Sequence, residues 1–387
     1  MKLALLKGNR FNPWHLQAFR HLEGNPAITA FRAESEIQRH FHDRDDGSLP
    51  FAFERIYFDT QAGNPLLRAV RTVQARYGGR ELQILPFYDR LRGFDLVQSW
   101  ELFTEWSEQA VEARERYGVP LAVMVWDNIP FNMETRPGVR ALKERVAKTA
   151  DAFVVHTERS RRMLDMEGVP SERVALVPPG VDTTVFTPGE GQRNDLGLDD
   201  DEFVILFVGW LLPRKGIDFL VLALRELLAD AEVRVRRPRL VMVGSGPGRD
   251  RVERLVERVG VADASRFAGM VPYDRMPAMY RSADAFVLPS VAMPEWQEQF
   301  GMALIEAMAC GTPVVASQSG AIPEIVGDAG VLAQPNDFVA LYEALRRLIL
   351  EPGERAALGA AARERVLERF ALDASAAALS EVYGKLV

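Results

Sequence analysis

The sequence predicts an α/β fold in which two doubly wound, Rossmann-like domains face each other across a cleft. Short apolar segments rich in β-branched residues alternate with helical patterns along the whole chain, which is typical of parallel sheets covered by helices on both faces. The length of 387 residues suits two domains, since one domain commonly takes about 100–200 residues. Ligands of such sheets bind at the carboxyl ends of the strands, so we expect the functional site in the cleft.

Strands and helices are predicted from apolar periodicity. In the first half of the chain the predicted strands are Lys2–Lys7, Ala27–Phe31, Leu82–Pro86, Phe94–Gln98, Leu121–Trp126, Ala152–His156 and Val174–Val177. In the second half they are Phe203–Val208, Leu240–Val243, Arg266–Ala268, Ala285–Leu288, Val314–Ala316 and Val331–Ala333. The predicted helices between the later strands are Ile217–Leu228, Arg249–Val259, Met276–Ser282 and Asp337–Leu350, and the Ala- and Arg-rich segment after Glu351 is also helical.

The domain boundary is predicted from a change in composition. Residues 178–202 are rich in Pro, Gly and Asp, which is typical of a linker. We therefore predict an N-terminal domain over residues 1–182 and a C-terminal domain over residues 183–368. A second polar stretch, residues 39–51, is predicted as a long surface loop of the first domain.

Composition and charge exclude several classes of protein. The hydrophobic content of 48% and the charged content of 26% are those of an ordinary globular protein. No run approaches the roughly 18–20 apolar residues that span a bilayer, and residues 1–11 are predicted to form a strand rather than a signal peptide. The net charge of −7 argues against a general nucleic-acid binder. Because Cys310 is the single cysteine, no internal disulfide or Cys-based zinc site is expected, and the cytoplasm is the default compartment.

Two basic segments, residues 158–164 and 234–240, stand out against this acidic background. Charge runs of this kind are usually solvated helix faces or loops. The alternative is a patch that meets an anionic acceptor or an anionic lipid, which would bring the protein into peripheral contact with the inner face of a membrane.

The segment 289–315 carries the clearest functional pattern. Glu298 and Glu306 stand eight positions apart, and residues 301–309 are predicted as a helix with no Ser, Thr, Asp or Asn before it. The first N–H groups of such a helix lack a side-chain partner and can hold a phosphate. Glu306 can accept two hydrogen bonds from a ribose diol, and Glu298 can do the same for sugar hydroxyls. We therefore predict that a nucleotide-sugar binds at this helix end, with further contacts from Phe300, Gly301, Met302 and Ala303.

A second predicted contributor is the loop from Gly209 to Lys215. It follows a strand and precedes a helix, so its backbone, Arg214 and Lys215 can face the same diphosphate. It is not a P-loop, because no Ser or Thr follows the lysine. The glycine-rich turn that contains Gly246 ends another strand, and it lacks a dinucleotide fingerprint because position 249 is Arg.

Together these motifs resemble the donor-site signature of the family-four (group 1) retaining glycosyltransferases, which have the GT-B fold. The matching segments are FGMALIEAMACGTPVV at 300–315, FVGWLLPRKGIDFLVLAL at 207–224, LVMVGSGP at 240–247, SRFAGMVPYDRMPAMYRSADAFVLPS at 265–290, SGAIPEIV at 319–326 and VPPGVDTTVFTP at 177–188. The resemblance covers residues 150–350 well and the N-terminal part in outline.

The resemblance implies that a hexosyl unit moves with retention from a nucleoside-diphosphate sugar to an acceptor hydroxyl, without a metal, a cofactor or a covalent intermediate. The N-terminal domain would bind the acceptor, which is a sugar, a lipid-linked molecule or a small molecule. The C-terminal domain would bind the donor, and residues 369–387 would return to the N-terminal domain. Lys215 and Arg214 would act as catalytic residues on the leaving diphosphate, with Gly246 beside the base. Glu298 would also be catalytic: it is the nearest candidate for a nucleophile, although its counterpart in the family binds sugar hydroxyls. Trp210 stands where the family often carries an Arg, which gives Arg214 a larger share of the diphosphate contact.

The first domain offers fewer candidates. Trp126 and Asp127 end a strand where the family often places a His, and Asp127 either bonds an acceptor or sugar hydroxyl as a catalytic residue or caps the strand end. His156 ends the next strand, either at the site or as a structural hydrogen-bond donor. Trp14 and His15 either shape the acceptor pocket or belong to the core.

Other readings use the same residues differently. Asp43-Arg44-Asp45 superficially matches the metal-binding DxD of the other glycosyltransferase fold, but it lies in a polar loop and follows no apolar strand, so no metal site is predicted. A glycosidase with two carboxylates is disfavoured, because Glu306 is assigned to the ribose. The alternatives are a non-catalytic nucleotide-sugar-binding protein, or a GT-B phosphorylase or epimerase. A phosphorylase of the glycogen type needs a lysine for pyridoxal, and the second half has only Lys215 and Lys385.

Overall fold

The computed structural model describes residues 1–8, 13–33, 50–59, 65, 69–70, 73 and 83–387. The chain divides into two compact units, the first formed by residues 1–180 together with 373–387 and the second by residues 181–372. Each unit is built on a parallel sheet, so the predicted α/β fold with two doubly wound domains is confirmed. The predicted boundaries at 182 and 368 lie a few residues from those of the two units.

The first unit contains a seven-stranded parallel sheet in the order β3-β2-β1-β4-β5-β6-β7. Its strands are β1 Lys2–Leu6, β2 Ala27–Ala33, β3 Ala52–Ile56, β4 Leu96–Trp100, β5 Leu121–Val125, β6 Ala152–Val155 and β7 Val174–Leu176. Among the described residues before 181, its helices are α1 Gln17–Arg20, α2 Glu105–Tyr117, α3 Val139–Thr149 and α4 Glu158–Met166.

Both faces of the first sheet are covered. Ala4 and Leu6 belong to one buried cluster, with α2, whereas Leu3 and Leu5 of the same strand belong to the cluster on the other face. Because successive strand residues point to opposite faces, a strand buried on both is mostly a continuous apolar run, and residues 3–6 of β1 are apolar and buried, which explains why β1 could be predicted from its sequence. The strand order reverses between β1 and β4, and in open α/β sheets ligands bind where that reversal occurs.

The second unit contains a six-stranded parallel sheet in the order β10-β9-β8-β11-β12-β13. Its strands are β8 Phe203–Val208, β9 Pro238–Val243, β10 Ser265–Gly269, β11 Ala285–Leu288, β12 Val314–Ser317 and β13 Val331–Ala333. Its helices are α5 Ile217–Ala229, α6 Ala231–Arg234, α7 Arg249–Arg258, α8 Met276–Arg281, α9 Met302–Ala309, α10 Ile322–Val326, α11 Phe338–Leu350 and α12 Pro352–Arg369. Here the order reverses between β8 and β11, so the loops that follow these two strands meet at the expected binding position.

The final helix, α13 Leu372–Gly384, packs into the first unit. Leu379 and Tyr383 are buried in the same cluster as Leu3 and Leu5 of β1. The Tyr383 hydroxyl donates to Gln98 Oε1 at 2.7 Å, and Gln98 Nε2 donates to the carbonyl of Ser99, also at 2.7 Å. The central strand β4 therefore carries a buried polar residue whose acceptor, within the part of the chain that the structure describes, is satisfied only through α13.

One strand prediction is wrong and one strand was missed. Within the predicted strand Leu82–Pro86 only Ile84 pairs, in an isolated antiparallel bridge with Phe58, and Leu82 lies outside the described residues. Pro86 has no N–H to extend the pairing. The missed strand is β3, the edge of the first sheet, whose sequence AFERI mixes charged and apolar residues because only Ile56 is fully buried.

Among the described residues, no helix is both long enough and apolar enough to cross a membrane.

Tyr383→Phe should lower the free energy of unfolding by about 1–3 kcal/mol, because it leaves the buried acceptor of Gln98 without a partner while keeping the packing of the ring. Equilibrium unfolding in urea measures the effect. Lys385→Ala is the control, since Lys385 is exposed and pairs only with exposed Glu381. Equal stability of Tyr383→Phe and wild type would show that the hydrogen bond contributes nothing.

Candidate functional site

In the second unit, the loops after β8 and β11 touch through a glycine. Gly216 has φ +68° and is the N-cap of α5, and a Cβ atom placed on it would lie 1.8 Å from the carbonyl oxygen of Pro289. Only glycine fits this position. The N–H of Val291 also donates to the carbonyl of Arg214 at 2.9 Å. The backbone thus holds the two loops together at the carboxyl edge of the sheet.

This contact brings Lys215 to Glu298. Lys215 Nζ lies 2.7 Å from Glu298 Oε2, and the Ser290 hydroxyl donates to the same oxygen at 2.6 Å. The Glu298 side chain is 7% exposed, so the pair is largely removed from water. Removing one partner of a buried ion pair is strongly destabilising, because the remaining charge is left without compensation. The structure therefore joins two residues that the sequence assigned to separate parts of a ligand.

A tryptophan that sequence reasoning missed covers the two cations. Met293 and Trp296 form an antiparallel bridge, so this part of the loop after β11 folds back as a small hairpin. The Trp296 ring centroid lies 4.8 Å from Arg214 Cζ and 5.3 Å from Lys215 Nζ, within the range of cation–π attraction. The sequence feature that could have indicated Trp296 is its position, as an aromatic residue two positions before Glu298.

Helix α9 begins as predicted, without a side-chain cap. Gly301 is its N-cap with φ +93°, and no side chain accepts its first N–H groups. The backbone of Met302 and Ala303 therefore forms a helix end that favours an anion. Phe300 differs from its neighbours, because its ring is buried edge-to-face against Phe370 at 5.7 Å. Only its backbone is placed to serve a ligand.

Glu306 lies in the second turn of α9, but it is enclosed. Its side chain is buried, and its two oxygens accept from two tyrosines, Oε2 from Tyr280 at 2.7 Å and Oε1 from Tyr273 at 3.1 Å. Burial raises the pKa of Glu306 to about 7, while the two hydroxyl donors act in the opposite direction. Sequence reasoning placed this carboxylate at an open mouth and did not foresee either tyrosine.

The loop around Gly246 is joined to the loop after β8. Leu211 donates its N–H to the carbonyl of Ser245 at 2.9 Å and accepts from the N–H of Gly248 at 2.9 Å. A Cβ on Gly246, where φ is +152°, would come within 2.9 Å of the Leu211 carbonyl. Gly209 donates to Val243 at the end of β9, so both predicted glycines belong to one connected backbone surface.

In the first unit, Glu101 occupies the position where the strand order reverses. It follows β4 with φ +61°, a left-handed conformation that is strained for a residue other than glycine. Its carboxyl accepts from the N–H groups of Trp126 at 3.0 Å and Asp127 at 3.3 Å. Burial, followed by the charge of Asp127, raises the pKa of Glu101 to about 8. Sequence reasoning missed this residue, since nothing near it in sequence marks a site.

Asp127 caps the turn that follows β5. One carboxylate oxygen accepts from the N–H groups of Asn128 at 2.8 Å and Ile129 at 3.2 Å, and Asn132 Nδ2 lies 3.0 Å from the other. Of the two roles that the sequence left open, these contacts support the structural one, and burial raises the pKa of Asp127.

His156 is also held by the backbone. Its Nδ1 lies 2.7 Å from the carbonyl of Val177 and donates to it, and its Nε2 has no hydrogen-bond partner among the described residues. Its ring meets that of Trp126 edge-on at 4.2 Å, and Trp126 in turn meets His15 at 5.1 Å. These three side chains line a cavity of about 20 Å³, room for a single water. Burial lowers the pKa of His156 to about 4, so the ring is neutral at pH 7.

Two candidates cannot be placed. Asp43, Arg44 and Asp45 lie outside the described residues, as does the side chain of Trp14. Within the described ranges, no group of three or more His, Cys, Asp and Glu residues is arranged to hold a metal ion.

Two family models match the chain in succession. One, described as glycosyl transferases group 1, matches residues 190–365, and the other, described as Glycosyltransferase Family 4, matches residues 44–185.

The curated relatives are also glycosyltransferases by name. D-inositol 3-phosphate glycosyltransferase of Acidothermus cellulolyticus is 37% identical over 269 residues, which cover 64% of this chain and 58% of the relative. The enzyme of the same name from Thermomonospora curvata is 35% identical over 303 residues, covering 70% of this chain and 67% of the relative. The alignment thus leaves a third or more of each relative's length unmatched.

Solved structures resemble the chain in fold. Anabaena HepE in complex with UDP has a TM-score of 0.78 at 17% identity, with both chains covered completely. WaaG, a glycosyltransferase involved in lipopolysaccharide biosynthesis, has a TM-score of 0.66 at 19% identity, with 94% of each chain covered. At such low identity the likeness shows the fold alone.

Glu101→Gln should change how stability depends on pH. The pKa of about 8 exceeds the usual value of 4.5, so between these pH values the folded state holds a proton that the unfolded state has lost. The stability contributed by this group is therefore present below about pH 4.5 and lost as pH rises toward 8. Because glutamine does not titrate, the melting temperature of the variant should rise relative to wild type between pH 5.5 and pH 8.

Glu108→Gln is the matched control for this experiment, since Glu108 is an exposed residue of α2. A difference between Glu101→Gln and wild type that stays constant across this pH range would contradict the raised pKa.

Proposed function

Because the chain belongs to the group 1 glycosyltransferases of family 4 and has their GT-B fold, we propose that it moves a hexosyl unit from a nucleoside-diphosphate sugar to an acceptor hydroxyl, with retention of the anomeric configuration. The observation that carries the proposal is the contact between Lys215 and Glu298. It puts a cation suited to a diphosphate beside a carboxylate suited to sugar hydroxyls, at the position where the strand order of the second sheet reverses.

In this proposal the leaving diphosphate lies between Lys215, Arg214 and the start of α9. Negative charge grows on the diphosphate as its bond to the sugar breaks, and fixed cations and N–H groups stabilise that charge without reorganising. Trp296 limits where the two cations can move, because both lie over its ring. This compensation comes from the protein itself, so we propose that the reaction needs no metal ion.

The two glutamates bind the neutral parts of the donor. Glu298 accepts hydrogen bonds from hexose hydroxyls, and Glu306 accepts from the ribose. Retention follows if the acceptor hydroxyl attacks the anomeric carbon on the face that the diphosphate leaves. The C–O bond to the diphosphate breaks with its electron pair on the phosphate oxygen, and the acceptor proton passes to that oxygen. The absence of a covalent intermediate is implied by the family resemblance.

The comparisons suggest which ligands to test first. HepE was solved with UDP, and the curated relatives are named for D-inositol 3-phosphate. UDP-sugars are therefore the first donors to assay, and a phosphorylated polyol is the first acceptor. Exposed Arg159, Arg161 and Arg162 on α4 suit an anionic acceptor or an anionic membrane surface, and cytoplasmic location with peripheral membrane contact belongs to the same proposal.

Lys215→Ala should lower kcat by about 100-fold or more while changing KM for the donor much less, because the lost charge matters most in the transition state. The measurement is the rate at which sugar is transferred from UDP-glucose to an inositol phosphate, with the product quantified by chromatography. A variant with unchanged kcat and a raised KM would refute the leaving-group role.

Wild-type transfer should persist in EDTA, because the proposed reaction needs no metal ion. Complete loss of wild-type transfer in chelator would refute the metal-independent reaction.

Glu298→Gln should separate the hexose from the nucleotide. Glutamine can keep the hydrogen bond from Ser290, although it loses the charge that pairs with Lys215. Bare UDP lacks the hexose that Glu298 is proposed to bind, so affinity for bare UDP should change by no more than about threefold. Affinity for UDP-glucose should fall by about tenfold or more, since the lost contact lies on the sugar. Isothermal titration calorimetry of both ligands measures the two effects. Equal losses for UDP and UDP-glucose would place Glu298 away from the hexose.

A further inference from the structure

We infer that the Tyr273 hydroxyl holds, on Glu306, the place of a ribose hydroxyl, and that a nucleotide must displace it to bind. This inference rests on the proposed function, because it takes the ribose to bind Glu306. It assigns Tyr273 a role of its own, which is to set donor affinity by competing with the ribose.

The two tyrosines on Glu306 differ in how firmly they are held. Tyr280 is fully buried in α8, and its ring meets Phe286 edge-on at 5.7 Å. The Thr312 hydroxyl donates to the backbone carbonyl of Tyr280 at 2.8 Å, which fixes the main chain as well. The hydrogen bond from the Tyr280 hydroxyl to Glu306, at 2.7 Å, is shorter than the one from Tyr273. Tyr280 is thus a permanent partner of Oε2.

Tyr273 is held less firmly. It is only partly buried and begins the 3₁₀ turn Tyr273–Arg275, which joins β10 to α8. Its hydroxyl lies 3.1 Å from Oε1 of Glu306, and its ring packs against Phe186 at 5.4 Å. A rotation of this side chain releases Oε1 without opening the core around Tyr280. Of the two bonds on Glu306, the one to Tyr273 is therefore the bond that can be exchanged.

Access to the carboxylate makes the exchange necessary. Each oxygen of Glu306 can accept two hydrogen bonds and already accepts one from a tyrosine, but the residue is only 5% exposed, so a ribose reaches it where the partly buried Tyr273 gives way. A ribose diol brings two donors, and a carboxylate binds them well only when an oxygen is accessible and ionised. The bond given up to Tyr273 offsets part of the bond gained from the ribose. Competition of this kind reduces donor affinity by about fivefold, the effect of one net hydrogen bond.

The test compares three variants of the full chain. Tyr273→Phe removes the competing hydroxyl and keeps the ring against Phe186, whereas Tyr280→Phe removes the permanent partner. Tyr342→Phe is the matched control, because the Tyr342 hydroxyl also donates to a carboxylate, that of Asp230, at 2.8 Å elsewhere in the same unit. Calorimetry at pH 8.5, above the pKa of about 7 of Glu306, measures binding of UDP, GDP and ADP and of the 2′,3′-dideoxy analogue of the tightest binder.

Tyr273→Phe should bind the nucleoside diphosphate about fivefold more tightly than wild type and the dideoxy analogue with unchanged affinity. Tyr280→Phe should bind the nucleoside diphosphate more weakly, and Tyr342→Phe should match wild type. A general structural effect of Tyr273 would alter both ligands equally, so equal shifts overturn the inference, as does weaker binding of the nucleoside diphosphate by Tyr273→Phe. If wild type binds a nucleoside diphosphate and Tyr273→Phe binds it identically, only this inference fails. If wild type binds none of the three, the proposed function fails with it.

Discussion

The close approach of the loops after β8 and β11 is the constraint on which the site of the second unit depends. Gly216 lies so near the Pro289 carbonyl that any side chain at that position would collide with it. Because the backbones touch, Lys215 and Glu298 can form an ion pair although they are 83 positions apart in the sequence. Trp296 then lies over the cations from the same loop that carries the glutamate. The backbone geometry of these two loops thus determines where the Lys215–Glu298 ion pair and the contact with Trp296 can form.

The first unit uses a comparable device with different chemistry. Glu101 adopts a left-handed conformation after β4 and accepts the N–H groups that end β5, so one carboxyl ties the ends of two neighbouring strands. Asp127 and His156 are likewise committed to backbone partners. Glu101 and His156, whose pKa values are both strongly shifted by burial, lie where strands end, which is where an α/β sheet leaves backbone groups to be satisfied.

The sequence was sufficient for what depends on local pattern. The central strand β5 is apolar throughout because it is buried on both faces, as are residues 3–6 of β1, and the uncapped start of α9 is visible as Gly301 in place of a capping residue. It was insufficient for what depends on distant partners. The tyrosines on Glu306 lie 26 and 33 positions before it, and nothing in their own surroundings marks them as its partners. The edge strand β3 escaped prediction for a related reason, since a strand exposed on one side need not be apolar.

The return of α13 to the first unit has a consequence for synthesis of the chain. Residues 181–372, which form the whole second unit, are translated between the two segments of the first. At about 5–20 residues per second the ribosome needs on the order of 10–40 s to make them. During that interval the first unit lacks Leu379 and Tyr383, and the face of its sheet that carries Leu3 and Leu5 is covered only in part, by earlier residues of the cluster such as Leu16 and Phe19. The second unit, which is continuous in sequence, can fold before the first is finished. The nascent first unit is therefore the part of this protein that most needs protection by a chaperone.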